Sequence, residues 1–118
     1  MNNREEIQDL VELYIEAMNN DEVDTIPLTD DVEFRGAMLS EPIVGEVAVR
    51  EHLRQIAPFF NTRLIYLIIE NDTAAAMMDI EMVNGTNHQG AAFFRVRGGK
   101  ICYDQAFFDT HRLFKGGS

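Results

Sequence analysis

The sequence has few of the features that a cross-linked, membrane-bound or nucleic-acid-binding protein needs. Cys102 is the only cysteine among 118 residues, so no intramolecular disulfide can form. Ten basic residues stand against 20 acidic ones, and the net charge of −10 repels phosphate backbones and anionic membrane surfaces. No apolar run approaches the roughly 18 residues that a membrane span requires. We therefore expect a cytoplasmic protein with no nucleic-acid partner and no membrane partner.

Motifs for metals and phosphates are missing as well. The histidines at positions 52, 88 and 111 show no paired ligand spacing, and they have no cysteine partner. No helix is expected after Gly98-Gly99, so this pair predicts a hairpin turn and not a phosphate-binding loop. We predict no metal site and no cofactor.

The apolar residues that are present suffice for one core. Hydrophobic residues make up 46% of the chain and include eight Phe and six Met, and the length fits one domain. We predict a single domain over residues 1–114. The Lys-Gly-Gly-Ser sequence at 115–118 predicts a flexible tail.

Helical periodicity is confined to the first half of the chain. Apolar residues at i, i+3, i+4 and i+7 predict a first helix that ends at Asn19-Asn20-Asp21. They are Ile7, Leu10, Val11, Tyr14, Ile15 and Met18. The following segments predict a short helix at 22–26, a strand at 32–35, a loop at 37–44 and a helix at 45–56.

The second half changes to a period of two, which is typical of strands. Strands are predicted at 63–70, 73–83, 91–97 and 100–108. Helices followed by an antiparallel meander predict an α+β fold. We expect a cone-shaped, strongly curved, mostly antiparallel sheet wrapped around the N-terminal helices, with a central cavity.

Several segments, in this order and spacing, resemble one known superfamily. They are the first helix and its exit at 11–21, the strand at 30–34, the Ser-Glu-Pro run at 40–42 with the helix at 45–53, and the closing hairpin at 93–109. Together they resemble the nuclear transport factor 2-like superfamily, which includes ketosteroid isomerases, polyketide cyclases of the SnoaL type and limonene epoxide hydrolase. The resemblance implies the cone-shaped fold, but this fold hosts many unrelated activities.

The resemblance also implies roles for single residues. Tyr14 stands where ketosteroid isomerases place a tyrosine that donates to the substrate oxygen. Acids of the related enzymes fall on Gly36, Ala92 and Ala106, whereas the aspartate of the epoxide hydrolase's Arg-x-Asp falls on Asp79. No enzyme of the superfamily is therefore matched in full.

Alternation places one further acid on the expected cavity face. In the last strand Asp104 shares a face with Ala106 and Phe108, which the resemblance turns inward. A carboxylate in an apolar pocket has a raised pKa and can act as a general base. At the mouth of the pocket, the same carboxylate would instead be solvated.

Our catalytic candidates are Tyr14, Asp104 and Asp79. Tyr14 can also be a core tyrosine, and both aspartates can also be surface acids. For Asp79 the resemblance points inward, whereas alternation with Met78 and Ile80 points to solvent. We weigh the resemblance slightly higher, and two inward acids would form a paired site that shares a proton.

Three functions remain open at this point. The chain is a cofactor-free enzyme (an isomerase, cyclase or hydrolase) acting on a small apolar molecule, a ligand-binding protein without catalysis, or a dimeric interaction module. The expected lining of the cavity consists of Phe34, Met38, Phe60, Met77, Phe94, Ala106 and Phe108. We also expect a homodimer through the outer face of the sheet, because apolar residues there need cover. Those residues are Ile65, Leu67, Ile69, Tyr103 and Phe107.

Overall fold

The computed structural model describes residues 4–36 and 39–108, without the side chain of Phe108. Its helices and strands are α1 (Arg4–Asn19), β1 (Leu28–Arg35), β2 (Ile43–Val44), α2 (Glu46–Ile56), β3 (Phe60–Glu70), β4 (Thr73–Met82), β5 (Asn87–Arg97) and β6 (Lys100–Phe108). Short 3₁₀ turns lie at Val23–Thr25 and Ala57–Phe59. The predicted order of elements is confirmed, although β2 forms inside the segment that we expected to be a loop.

The strands form one open, curved sheet in the order β2-β1-β6-β5-β4-β3. Strands β3 to β6 are the predicted antiparallel meander. Strand β1 pairs in parallel with β6, and this pairing sets Phe34 beside Asp104. The α+β class with a mostly antiparallel sheet is therefore confirmed, and the parallel pair brings β1 next to the strand that carries Asp104.

The apolar stripe of α1 packs into the core as predicted. Ile7 and Val11 are fully buried, and Tyr14 and Ile15 follow them on the same face. At the end of the helix, the Asn19 side chain donates to the carbonyl of Thr62 (2.7 Å) and accepts from its amide (2.8 Å). These two bonds fix the end of α1 to β3. In the described part of the chain, no helix has the length and apolar character needed to cross a membrane.

Glycine makes the last hairpin turn. Gly98 and Gly99 have φ angles of 60° and 77°, which lie in the left-handed region. A two-residue hairpin loop of this kind needs positive φ at both positions, and side chains other than glycine are strained there. The turn sets the pairing of Val96 with Ile101, and an extra residue at Cys102 then shifts the register so that Asp104 lies opposite Phe94.

A bulge in β3 changes which of its side chains face the core. Leu64 pairs with Met78 and Tyr66 pairs with Met77, so Ile65 is an extra residue. One extra residue inverts the alternation beyond it. The exposure that we predicted for two residues is therefore wrong, because Ile69 is buried and Leu67 packs against the core.

Candidate functional site

An apolar cavity of about 180 Å³ lies between the sheet and the helices. Both helices and every strand except β2 contribute to its described lining. Four polar side chains of the described residues reach it, and they are Tyr14, His52, Thr62 and Asp104. The rest of the described lining consists of apolar residues and Gly36. A phenol, an imidazole, a hydroxyl and a carboxyl are groups that exchange protons and hydrogen bonds with a small molecule.

Asp104 is the acid of this cavity and is only 2% exposed. It lies in the middle of the sheet, with Phe34 of β1 and Phe94 of β5 as its register partners. Neither carboxyl oxygen has a hydrogen-bond partner among the described residues. Burial raises the pKa of this carboxyl to about 7, and the nearby Tyr14 hydroxyl acts in the opposite direction. Near neutral pH the group can therefore either give or take a proton.

Tyr14 faces Asp104 from α1. Its ring packs edge-on against Phe94, with ring centroids 5.0 Å apart. Burial raises the pKa of the Tyr14 hydroxyl well above its usual value, and the charge and hydrogen-bonding capacity of Asp104 act in the same direction. The two groups thus influence one another, although no hydrogen bond of standard length and angle reaches the carboxyl oxygens. Tyr14 stays protonated, so its hydroxyl is available as a donor.

His52 is a polar residue of the cavity that we did not predict. Its ring packs at a tilt against Phe34, with centroids 5.0 Å apart, and partial burial lowers its pKa. The sequence carried a usable signal. Val49, His52 and Leu53 lie at i, i+3 and i+4 of the apolar stripe of α2, which places the imidazole on the inner face.

The predicted inward orientation of Asp79 is wrong. Its carboxylate pairs with Arg63 at 2.6 Å, and its side chain is 38% exposed. The register of β4 with β5 runs without a shift, so neighbouring residues must point to opposite faces. Met78 lines the cavity, whereas Met77, which we had assigned to the lining, lies on the other face and is 51% exposed. Asp79 therefore cannot form a paired carboxylate site with Asp104.

Only some of the other residues that we predicted to line the cavity do so among the described residues. Three of them lie at the cavity, namely Phe34, Phe60 and Ala106. Phe94 is fully buried and supports the Tyr14 ring, but it does not line the cavity. Met38 and the side chain of Phe108 lie outside the described residues.

Of the four positions where related enzymes carry acids, three are at the cavity, and Asp79 is the exception. Gly36, Ala92 and Ala106 line it, but none of them has a side chain that ionises. Among the described lining residues, Asp104 is the one acid, and it precedes Ala106 by two residues on the same strand face. The carboxyl group of this cavity therefore lies at a different position from the acids of the related enzymes. Within residues 4–36 and 39–108, no group of three or more His, Cys, Asp or Glu residues is arranged to hold a metal ion.

A curved, mostly antiparallel sheet packed on two helices, with a buried acid between them, defines an α+β protein of the nuclear transport factor 2-like class. The model of the SnoaL-like domain family matches residues 11–103, and the chain belongs to this family. Among curated proteins no significant sequence match is found.

Solved structures show the same fold. A nuclear transport factor 2-like protein of unknown function from Cytophaga hutchinsonii is 22% identical, with a TM-score of 0.79, and the match covers 92% of this chain and 94% of that one. An epoxide hydrolase of M. tuberculosis that resembles limonene epoxide hydrolase is 20% identical, with a TM-score of 0.80 and coverage of 94% and 88%. A proposed ketosteroid isomerase from Kribbella flavida is 20% identical, with a TM-score of 0.78 and coverage of 88% and 78%. At these identities the similarity establishes the fold alone.

Proposed function

We propose that this SnoaL-like protein binds a small, largely apolar molecule in the cavity, with Tyr14 and Asp104 as its polar contacts. One observation carries the proposal. Both oxygens of Asp104 are buried, and neither makes a hydrogen bond of standard length and angle with a described residue, although the Tyr14 hydroxyl lies nearby. Buried polar groups without a hydrogen bond cost free energy, so native structures satisfy them with protein, water or ligand. A ligand hydroxyl placed between the two side chains would donate a hydrogen bond to one Asp104 oxygen and accept one from the Tyr14 hydroxyl.

The same pair supports cofactor-free acid–base catalysis of the isomerase, cyclase or hydrolase type. A general base works best when its pKa lies near the working pH, and burial raises the pKa of Asp104 to about 7. In this arrangement the ligand oxygen would contact Tyr14 alone. The Asp104 carboxylate would take a proton from the carbon beside a carbonyl group, and the enolate oxygen that results would accept a hydrogen bond from the Tyr14 hydroxyl. An epoxide hydrolase and a proposed ketosteroid isomerase among the structural neighbours are consistent with this class of chemistry.

NMR titration of the carboxyl carbons tests the state of Asp104 directly. We expect its signal to titrate with a midpoint at about 7 in the ligand-free protein. The signal is assigned by its loss in Asp104→Asn, with Asp79→Asn as the matched control on the outer face. A midpoint at about 4, the ordinary value for aspartate, would overturn the catalytic role.

A second function, ligand binding or protein interaction without catalysis, is favoured by Gly36, Ala92 and Ala106. These cavity positions lack the acids that the related enzymes use.

Exchange of the hydrogens beside the carbonyl of cyclohexanone in heavy water separates the two functions. Catalysis requires the wild type to accelerate the exchange and Asp104→Asn to abolish the acceleration. Binding that shifts cavity signals without any exchange would support the non-catalytic function.

A further inference from the structure

The volume of the cavity restricts which molecules the proposed function can act on. An apolar cavity of about 150 Å³ is large enough to bind benzene. The cavity here measures about 180 Å³, so it offers only slightly more room. Scaled from the six carbons of benzene, it holds roughly 7 non-hydrogen atoms, which is close to one ring with one or two small substituents.

We propose that the cavity selects uncharged single-ring molecules that carry one oxygen, such as a methylphenol or a cyclohexanone, and excludes fused-ring molecules. The inference rests on the proposed function, since it assumes that the ligand oxygen meets Tyr14 and Asp104. It adds a size limit and a charge limit, and each limit has its own structural basis.

Aromatic side chains set the size limit. The ring of Phe34 is held between the imidazole of His52 and the backbone at Gly36, where an added Cβ would lie 3.2 Å from Phe34 Cε1. Phe60 enters from the start of β3 and packs against the core. Packed interiors resist small displacements, so the Phe34 ring, which is 3% exposed, cannot move aside cheaply for a second ligand ring. Phe60 is partly buried and forms a second aromatic wall.

The lining sets the charge limit. No lysine or arginine is among the described lining residues, and the one acid there is Asp104. A carboxylate ligand would therefore bring a second negative charge to this acid without a cation to balance it. A ring amine would give up its hydration for a lining that offers it one carboxyl group and is otherwise almost entirely apolar. An uncharged oxygen meets neither penalty.

Methionine methyl groups report directly on occupancy of the cavity. Met18 and Met78 line it, whereas Met77 lies on the opposite face of the sheet and serves as an internal control. We would label the methyl carbons with ¹³C and titrate with 4-methylphenol, 1,4-dimethylbenzene, 2-naphthol and benzoate. We expect 4-methylphenol to shift Met18 and Met78 but not Met77. The other three ligands should bind more weakly by about tenfold or more.

A variant with an enlarged cavity tests the size limit, because it should bind a ligand that the wild type excludes. Phe60→Ala removes one aromatic wall, so 2-naphthol should now shift Met18 and Met78. Phe60→Leu is the milder variant if the alanine variant does not fold. Phe59→Ala is the matched control, because Phe59 is the neighbouring phenylalanine and is 53% exposed. Failure of both folded Phe60 variants to gain affinity for 2-naphthol would overturn the size limit.

The ligand set separates this inference from the proposed function. If 2-naphthol or benzoate binds the wild type as tightly as 4-methylphenol, the size or charge limit is wrong and the polar contacts stand. If 4-methylphenol and 1,4-dimethylbenzene bind equally, and Asp104→Asn changes neither, the polar contacts are wrong and the size limit stands. If no ligand shifts Met18 or Met78, both proposals are wrong.

Discussion

Transfer of a carboxylate from water into an apolar pocket raises the free energy of its charged form. Burial strongly disfavours the charged form of Asp104, because the residue is 2% exposed and neither oxygen makes a hydrogen bond of standard geometry with a described residue. The nearby Tyr14 hydroxyl offsets part of the effect, and the resulting pKa is about 7. The titration of this one residue is therefore coupled to the stability of the whole fold.

We expect the wild type to lose stability relative to Asp104→Asn as the pH rises. The pKa of Asp104 is about 7 in the folded chain and about 4 in the unfolded chain. Between these values the folded chain retains a proton that the unfolded chain has released. The contribution of Asp104 to stability is therefore greatest below about pH 4 and falls until about pH 7. The full loss is at most about 4 kcal/mol. Urea denaturation of both proteins at about pH 5 and about pH 8 measures the larger part of it, about 3 kcal/mol.

The comparison with Asp104→Asn cancels the other carboxyl groups, because both proteins contain them. Asp79→Asn controls for the change in net charge, since it removes an acid from the outer face and leaves the cavity intact. If the free energies of unfolding of the wild type and Asp104→Asn change equally between these pH values, Asp104 is not buried as a neutral acid.

Single residues of the site differed in how far the sequence could place them. Alternation in β6 grouped Asp104 with Ala106, and the resemblance turned this face inward. Both hold because the register shift that the described part of β5 and β6 contains precedes Asp104. Alternation in β4 was also right for Asp79, and the resemblance to other enzymes, which we weighed more highly, was wrong. Family position therefore predicted three cavity positions, at Gly36, Ala92 and Ala106, but not which residue supplies the acid.

At the scale of elements, the sequence could not predict which side chains of β3 face the core. Residues 64–69 are apolar or aromatic throughout, so no charged side chain marks the solvent face. An extra residue at Ile65 therefore leaves the pattern unchanged while it inverts the faces beyond it. In β4, by contrast, Asp79 and Glu81 mark the outer face, and the observed burial follows the pattern. The parallel pairing of β1 with β6 also lacked a local signal, because it joins segments far apart in sequence.

The placement of α1 gives a sharp stability prediction. Ile15 is 7% exposed, and an aspartate there would bury a charge without a partner. We expect Ile15→Asp to cost about 3 kcal/mol or more and to unfold the domain at low urea concentration. Leu13→Asp is the matched control, because Leu13 lies on the same helix and is 38% exposed. Equal urea midpoints for these two variants would show that the inner face of α1 is assigned wrongly.

At the scale of the whole molecule, an uncharged row of side chains crosses the outer face of the sheet. Tyr66, Met77, Ala91 and Phe107 are direct register neighbours across β3, β4, β5 and β6 and form an uncharged row. Ten large apolar side chains are exposed in the described part of the chain, and five of them lie on β3, β4 and β6. Those five are Ile65, Tyr66, Ile68, Met77 and Phe107. Exposed apolar patches of this kind mark interaction sites.

We propose that a second copy of the chain covers this face. Two copies with a net charge of −10 each repel one another, but the row itself carries no charge, so a two-fold contact can place row against row. Light scattering at micromolar concentration should then give twice the 13.4 kDa of one chain. Met77→Lys should return the monomer mass, because it buries an unpaired charge at the centre of the contact. Val47→Lys is the control, since Val47 is 84% exposed on α2. A wild-type mass of 13.4 kDa would exclude the dimer.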